Sequence, residues 1–296
     1  MRYENPKVPE GINVTPEHPL KEFSQLLLGV VAVTVIIVVM LTLLAERIAQ
    51  HIPFQMEVEI AGHYRGKLPV RTAVTDYLQG LADRLAVSQD LPADMRITVH
   101  YVDDATVNAF ATLGGNIVFF RGLLERLPDE NALAMVMAHE IAHVRHRHPI
   151  MSLGRGVVIG LALAAVANFS GNDLAGRVLG EAGLLTVLGF TRQQEEEADQ
   201  TALATIARQY GHVSGADTFF MLAKNLPHAG IKEKIPSFLS THPATENRIE
   251  KLRMLAQQNG WAMNQPTRPL PETIQVQIKH RSDHESGNVS TPFLPH

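Results

Sequence analysis

The amino-acid sequence predicts a mainly helical α+β fold with a small β-sheet or hairpin, preceded by one transmembrane helix. Three observations predict this class: a long apolar run near the amino terminus, two extended stretches separated by paired glycines, and several segments with helical periodicity. The chain divides into a polar leader over residues 1–22, a membrane anchor over 23–45, one folded domain over 46–262, and a flexible, proline-rich tail over 263–296.

The anchor is predicted from residues 23–45, which carry no charge and consist largely of Leu, Val and Ile. A helix of this length crosses a hydrocarbon core of ~30 Å. A signal peptide is disfavoured by the long polar leader and by an apolar run longer than the roughly 7–15 residues of a signal core. A buried soluble helix would show a polar face. Arg2, Lys7 and Lys21 before the anchor outnumber Arg47 after it, which predicts a cytoplasmic amino terminus.

Composition excludes several classes of function. The chain has no cysteine, which rules out disulfides, a cysteine nucleophile and thiolate zinc ligands. Its net charge of −4 provides no basic field for nucleic acid, and the basic run Arg145–His148 is too short to follow a phosphate backbone. Any metal must therefore be held by histidines and carboxylates.

The most informative motif is His-Glu-x-x-His at residues 139–143. Residues four apart on a helix lie above one another, so His139 and His143 can reach one metal ion, while Glu140 points beside it. Apolar residues flank the motif, and Pro128-Asp129 supplies a helix start upstream. This arrangement is typical of a zinc hydrolase in which Glu140 holds the attacking water.

A catalytic zinc site needs a third protein ligand. The spacing permits His146, but His146 and His148 are also typical of a solvated basic helix end. Glu195 is the better candidate, because Glu195 and Asp199 share a helical stripe with apolar residues, and buried carboxylates need a metal or a charge partner. Asp199 would then hydrogen-bond the outer nitrogen of a ligand histidine. Glu196 lies on a similar stripe, so periodicity favours Glu195 only modestly.

The remaining segments are placed by their periodicity. Strands are predicted over residues 58–64 and 96–102, and helices over 70–86, 194–209 and 244–258. Paired glycines within residues 108–120 predict a hairpin; alternatively, one of its arms is an edge strand over the metal, where a substrate peptide adds by backbone hydrogen bonds.

A second apolar region covers residues 156–190. Its uncharged run after Arg155 is about 15 residues, short of the ~20 that a straight span needs. We therefore predict buried or membrane-apposed helices in this region. A further span here would instead indicate a membrane transport or assembly component.

These motifs together resemble metallopeptidase family forty-eight, the gluzincin group that contains HtpX and the CAAX prenyl endopeptidases. The resemblance covers roughly residues 65–256. It rests on four motifs: Asn108-Ala-Phe-Ala to Gly114-Gly115, His139-Glu-Ile-Ala-His143, Phe190-Thr-Arg-Gln-Gln-Glu195-Glu-Glu-Ala-Asp199, and Thr241-His242-Pro243 followed by Arg248.

The resemblance implies a gluzincin-type zinc metalloprotease domain that binds one Zn²⁺ per chain through His139, His143 and Glu195, with Asp199 as partner of a ligand. It also supports the edge-strand interpretation, which places substrate along Gly115, Asn116, Ile117 and Val118. It adds His242 as a loop residue near the site, which stabilises the oxyanion, covers the metal in a resting state, or only caps a helix.

The predicted function is a membrane-anchored zinc metalloendopeptidase that hydrolyses unfolded or misfolded membrane and envelope proteins, with Glu140 as general base. Its expected partners are polypeptide substrates and the lipid bilayer, and an oligomer is compatible with the anchor. The expected location is a bacterial inner membrane, crossed once, with the catalytic domain in the periplasm. The alternative is a zinc-containing membrane-anchored chaperone or adaptor with an occluded site; an intact Glu140 argues against it.

Overall fold

The computed structural model of the protein describes residues 19–63, 72–170, 189–218, 220–221, 242 and 246–278. Within these ranges most elements are helices, and three short strands form one sheet. The elements are α1 Pro19–Ala49, α2 Phe54–His63, α3 Ala73–Ser88, β1 Thr98–Val102, β2 Ala109–Thr112, β3 Asn116–Phe120, α4 Arg121–Leu124, α5 Glu130–Arg145, α6 His148–Ser170, α7 Arg192–Tyr210 and α8 Glu246–Gln258. The mainly helical fold with a small sheet is confirmed.

The first helix is longer than the predicted anchor. It begins at Pro19 and ends at Ala49, and the segment Leu20–Ala49 is long and apolar enough to cross a membrane. Its large aliphatic side chains are mostly exposed, as expected for a helix whose partner is lipid. The leader before residue 19 lies outside the described residues.

The sheet has three strands in the order β1-β3-β2. β3 pairs in parallel with β1 and antiparallel with β2, so the predicted hairpin is formed by β2 and β3. The turn between them requires glycine, because Gly114 and Gly115 have φ of 68° and 74°. A Cβ on Gly115 would lie 2.0 Å from the carbonyl oxygen of Arg96. The β2–β3 turn is therefore held tightly against its neighbours.

The predicted strand over residues 58–64 is wrong, because residues 58–63 belong to helix α2. Acidic and apolar residues alternate in this segment and imitate the period of a strand. Burial follows a helical period instead: Phe54 and Glu57 are buried, and Val58 is partly buried. Tyr64, the last residue of that prediction, lies outside the described residues.

Helices α5 and α7 form the centre of the domain. Each begins with a side-chain cap: Asp129 accepts a hydrogen bond from the amide of Ala132, and Thr191 forms a reciprocal capping box with Gln194. Completely buried alanines lie on both helices, and such small side chains allow helix axes to approach closely. These alanines are Ala138, Ala142, Ala198 and Ala202. The motif helix is thus fixed against the helix that carries the acidic residues.

The flexible tail predicted from residue 263 needs a correction. Leu270, Ile274 and Ile278 are buried in the hydrophobic core, and the carbonyl of Arg268 accepts a hydrogen bond from the amide of Glu130. The three apolar residues recur every four positions, which is the stripe of a helix over residues 272–278. Proline-rich composition concealed this short pattern. Residues 279–296 lie outside the described residues.

Candidate metal centre

Helix α5 supplies three of the predicted site residues. His139, Glu140 and His143 are buried, and the Nε2 atoms of the two histidines lie 2.9 Å apart. This proximity follows from their spacing of four residues on one helix face. Two imidazole nitrogens therefore point into one small buried space.

Helix α7 closes this space from the opposite side. The Oε2 atom of Glu195 lies 3.5 Å from His139 Nε2, and its Oε1 atom lies 3.5 Å from His143 Nε2. Glu196 and Glu197 are each almost half exposed, and Glu196 pairs with Lys251. Of the three consecutive glutamates, Glu195 is the one next to His139 and His143.

A third histidine joins the cluster. The Nδ1 atom of His242 lies 2.8 Å from Glu195 Oε1 and 3.3 Å from His139 Nε2. One ligand atom from each of these side chains and from His143 lies within 4.8 Å of the others. The four side chains make a compact, buried set of three imidazoles and one carboxylate.

The donor set fits zinc. Tetrahedral Zn²⁺ has bonds of about 2.0–2.1 Å to histidine nitrogen and carboxylate oxygen, so its ligand atoms lie ~3.3 Å from one another. In the structure His139 Nε2 lies 2.9 Å from His143 Nε2 and 3.3 Å from His242 Nδ1, and the Glu195 oxygens lie 2.8–3.5 Å from these nitrogens. The four ligand atoms all lie within 4.8 Å of one another. Imidazole with carboxylate, without thiolate, is a combination found in catalytic zinc sites. The site can hold one metal ion without a large movement of its side chains.

The outer nitrogen of each α5 histidine has its own partner. His139 Nδ1 lies 3.0 Å from Asp199 Oδ1, one helical turn beyond Glu195. His143 Nδ1 lies 2.8 Å from His148 Nδ1, and His148 Nε2 lies 3.3 Å from the carboxylate of Glu197. Such partners fix the ring orientation and raise the basicity of a metal-binding histidine.

The position of His148 corrects the prediction of a solvated basic helix end. His148 is 1% exposed, whereas His146 is partly exposed and contacts Thr201 and Glu197, away from the four-residue cluster. Arg147 between them has φ of 62°, so the chain turns sharply and brings His148 beneath His143. The sequence pattern contained the histidine but not this turn.

Arg248 of α8 holds both buried acidic residues of α7. It forms a bidentate pair with Asp199 at 2.7 Å for each contact, and its NH1 atom lies 2.8 Å from Glu195 Oε2. A planar guanidinium fixes carboxylates in this geometry more firmly than an ammonium does. The sequence analysis included Arg248 in a family motif but assigned it no role. Phe190, also inside a quoted motif, stacks on His143 with ring centroids 3.8 Å apart.

The electrostatics of the cluster favour a cation. Burial raises the pKa of both buried carboxyls, but neighbouring groups outweigh it. The charge of His242 and a hydrogen bond from His139 hold the pKa of Glu195 below its ordinary value. The charge of Arg248 and a hydrogen bond from His139 do the same for the pKa of Asp199. Burial lowers the pKa of His139, yet hydrogen bonds to Asp199 and Glu195 raise it to about 10. The carboxylates thus stabilise positive charge at this place, and a metal ion supplies such charge.

Glu140 links the cluster to the sheet. Its Oε2 atom accepts a 2.7 Å hydrogen bond from the backbone amide of Ala111 in β2. Its Oε1 atom lies 3.7 Å from His242 Nε2 and has no hydrogen-bond donor among the described residues. One carboxylate oxygen is therefore anchored, and the other points into the donor cluster.

The predicted substrate strand must be reassigned. Asn116, Ile117 and Val118 lie in β3, the middle strand, whose backbone is paired on both sides, and Gly115 lies in the turn before it. A peptide cannot add to a strand that is already paired on both sides. The edge that faces the site belongs to β2. There Ala109 and Ala111 alternate with the residues hydrogen-bonded to β3 and turn their backbone polar groups outward.

The structure has the fold and site of a gluzincin zinc metallopeptidase: a buried His-Glu-x-x-His helix completed by a glutamate from a second helix. The model of peptidase family M48 matches residues 72–256. The chain belongs to this family, as its motifs predicted.

Three curated relatives show the range of the similarity. The chain is 32% identical over 197 residues to a putative beta-barrel assembly-enhancing protease of Vibrio cholerae, with 62% of this chain and 40% of the relative covered. It is 31% identical over 201 residues to the mitochondrial metalloendopeptidase OMA1 of Schizosaccharomyces pombe, with 66% and 57% covered. It is 31% identical over 196 residues to a protease HtpX homolog of Ralstonia nicotianae, with 54% and 68% covered. The chain spans about two fifths of the length of the beta-barrel assembly-enhancing proteases that it matches.

Proposed function

We propose that this protein is a membrane-anchored zinc metalloendopeptidase that cleaves unfolded or misfolded polypeptides. One observation carries the proposal: the carboxylate of Glu140 is held between the donor cluster and the edge strand β2. A general base, a metal-binding set and a surface for an extended peptide thus meet at one place. A protein that only bound zinc would need no such base.

The residues divide the chemistry among them. Zinc held by His139, His143 and Glu195 would supply a Lewis acid and lower the pKa of a bound water to about 7. Glu140 would take the water's proton on Oε1 and pass it to the leaving amine. Its Oε2 atom stays fixed by the amide of Ala111, so the carboxylate keeps one orientation during the transfer.

Substrate recognition would use the edge of β2 that pairs with no other strand among the described residues. A peptide that adds there forms backbone hydrogen bonds with Ala109 and with the carbonyl of Ala111, whose amide already donates to Glu140, and lies beside Glu140. Backbone recognition needs an extended chain and depends little on side chains, which suits unfolded polypeptide. The relatives named beta-barrel assembly-enhancing protease are bacterial proteins. Together with the excess of basic residues before α1, they are the basis on which we propose a role in quality control of envelope proteins, with α1 in a bacterial inner membrane and the catalytic domain in the periplasm.

His242 would keep the site in a resting state. Its Nδ1 atom lies among the other ligand atoms, where the fourth position of a catalytic zinc site is normally left for water. We therefore favour the covering role over oxyanion stabilisation. The position of His242 among the ligand atoms is also the argument for the second candidate function, a zinc-containing adaptor with a permanently occluded site.

Cleavage of casein by the full chain in detergent tests the proposal. The wild type is compared with Glu140→Gln and with Glu196→Gln, an equal charge change at a surface residue paired with Lys251. With equal zinc content, we expect cleavage by the wild type and Glu196→Gln, and none by Glu140→Gln. If all three bind zinc and none cleaves casein, even after His242→Ala opens the site, the endopeptidase proposal is wrong and the adaptor remains.

A further inference from the structure

We infer that helix α6 enters the lipid bilayer beside α1 without crossing it, so that the membrane holds the protein by two helices. The inference uses the membrane-anchor role of α1 and does not depend on the chemistry of the site. The sequence predicted only that residues 156–190 form buried or membrane-apposed helices. The contacts between α1 and α6 lead further.

The two helices are antiparallel neighbours. Gln50 contacts Met151, Glu46 contacts Arg155, and Gly154 lies beside Ala45, so residue numbers rise along α6 as they fall along α1. On α1, the partly or fully buried positions Val38, Thr42, Ala45, Glu46 and Ala49 form one helical stripe. α6 therefore follows α1 away from the catalytic domain.

The boundary between polar and apolar sequence falls at the same level on both helices. On α1 the uncharged run 23–45 is followed by Glu46, and on α6 the uncharged run 156–170 is preceded by Arg155. These two boundary residues pair with each other, with Arg155 NH1 2.8 Å from Glu46 Oε1. Two apolar segments that start at one ion pair and continue side by side enter the same hydrocarbon layer.

The outer face of α6 has the character of a lipid-facing surface. Val157 and Leu161, one turn apart, are 49% and 65% exposed, similar to the aliphatic side chains of α1. Exposed apolar faces of this kind are unfavourable in water but favourable against acyl chains. Because α1 is in the bilayer at this level, lipid is the occupant that the structure supports.

The length of the segment indicates that α6 enters the bilayer without crossing it. Residues 156–170 extend about 22 Å at 1.5 Å per residue, less than a hydrocarbon core of ~30 Å. Residues 171–188 lie outside the described residues, and the next two residues lie at the catalytic domain: Arg155 donates a hydrogen bond to the carbonyl of Gly189, and Phe190 stacks on His143. α1 would remain the only complete span among the described residues.

Three exposed apolar positions allow a matched test, and the absence of native cysteine makes labelling clean. Ile36→Cys on α1, Leu161→Cys on α6 and Val87→Cys at the end of α3 are labelled with an environment-sensitive fluorophore; these residues are 58%, 65% and 80% exposed. The labelled full chains are placed in phosphatidylcholine vesicles. We expect lipids brominated on the acyl chain to quench both position 36 and position 161, and aqueous iodide to quench position 87.

The other outcomes overturn the inference in distinguishable ways. Iodide quenching at position 161 with lipid quenching at 36 would place α6 in water. Protection of position 161 from both quenchers would show that protein covers it. Water exposure at position 36 would remove the anchor as well. Casein cleavage by the labelled variants reports the proposed activity separately, so its absence leaves the membrane result unaffected.

A disulfide tests the helix pair itself. A Cβ built on Gly154 lies 3.7 Å from the Cβ of Ala45, close to the separation of about 3.8 Å in disulfides. Oxidation of the double variant Ala45→Cys, Gly154→Cys should link the tryptic peptides 22–47 and 148–155. Val35→Cys with Gly154→Cys is the control, since position 35 lies ~15 Å further along α1. Failure of the first pair to cross-link in vesicles would refute the packing on which the inference rests.

Discussion

Replacing Asp199 with Asn tests how this buried carboxylate, one helical turn beyond Glu195, supports the metal site. Asp199 is buried and accepts three contacts: one from His139 Nδ1 at 3.0 Å and two from Arg248 at 2.7 Å. All three come from nitrogens that carry a proton when His139 binds metal through Nε2. The side-chain amide of Asn has one accepting oxygen and one donating nitrogen. In either orientation, that nitrogen would face an N–H group of Arg248 or of His139, and at least one hydrogen bond would be lost.

The size of the effect follows from that lost contact. A hydrogen bond to a charged group contributes about 1.5–3 kcal/mol, and every 1.4 kcal/mol is tenfold in affinity. We therefore expect Asp199→Asn to bind zinc about 10- to 100-fold more weakly, as other changes of such partners do. Competition with a fluorescent zinc chelator measures the affinity, and casein cleavage at excess zinc shows how much activity returns.

Glu196→Gln is the matched control for Asp199→Asn. It makes the same chemical change on the same helix, at a residue that is almost half exposed and paired with Lys251. Zinc affinity should stay at the wild-type value in this variant. Should Asp199→Asn also retain wild-type affinity, Asp199 does not orient His139, and the hydrogen-bond argument fails.

Two further predictions concern histidines that contact the cluster. His242→Ala should raise casein cleavage while zinc stays bound, because His242 then no longer covers the metal site; a fall of about 10²–10³-fold in kcat would instead show oxyanion stabilisation. His148→Ala should weaken zinc binding about tenfold, because His143 Nδ1 loses its partner at 2.8 Å, whereas His146→Ala should leave the affinity unchanged. Equal effects of the last two substitutions in the chelator competition would contradict a specific role for His148.

The sequence predicted the parts of the site that depend on position within one helix. The spacing of His139 and His143 fixes their geometry once α5 forms, and the spacing of Glu195 and Asp199 places both carboxylates on one face of α7. These relations are local, so they can be read from the chain. Glu196 remained a competitor because periodicity alone does not show which of two stripes meets the histidines.

Features that depend on contacts between distant segments were missed or misplaced. β3 is central only because β1 pairs with its second edge, and nothing in the hairpin sequence predicts that partner. α2 alternates like a strand, yet Glu57 is buried because it accepts hydrogen bonds from Arg147 and from the amide of Gly114. A buried charge with a distant partner looks like a surface charge in the sequence. The turn at Arg147 that buries His148 also involves a distant contact, because Arg147 pairs with Glu57 of α2.

Helix α6 leads directly into the catalytic machinery, and this changes what removal of the anchor α1 should do. α6 begins at His148, which contacts His143, so the segment that we place in the bilayer cannot be separated from the site. A domain held by α1 alone would become water-soluble when residues 1–50 are deleted. We expect the truncated chain to stay with membranes or to require detergent, because residues 156–170 remain uncharged and lose their partner α1. Val157→Lys with Leu161→Lys, on the exposed face of α6, should then release it into solution. A truncated chain that sediments as a soluble monomer without these substitutions would show that α6 is not a membrane element.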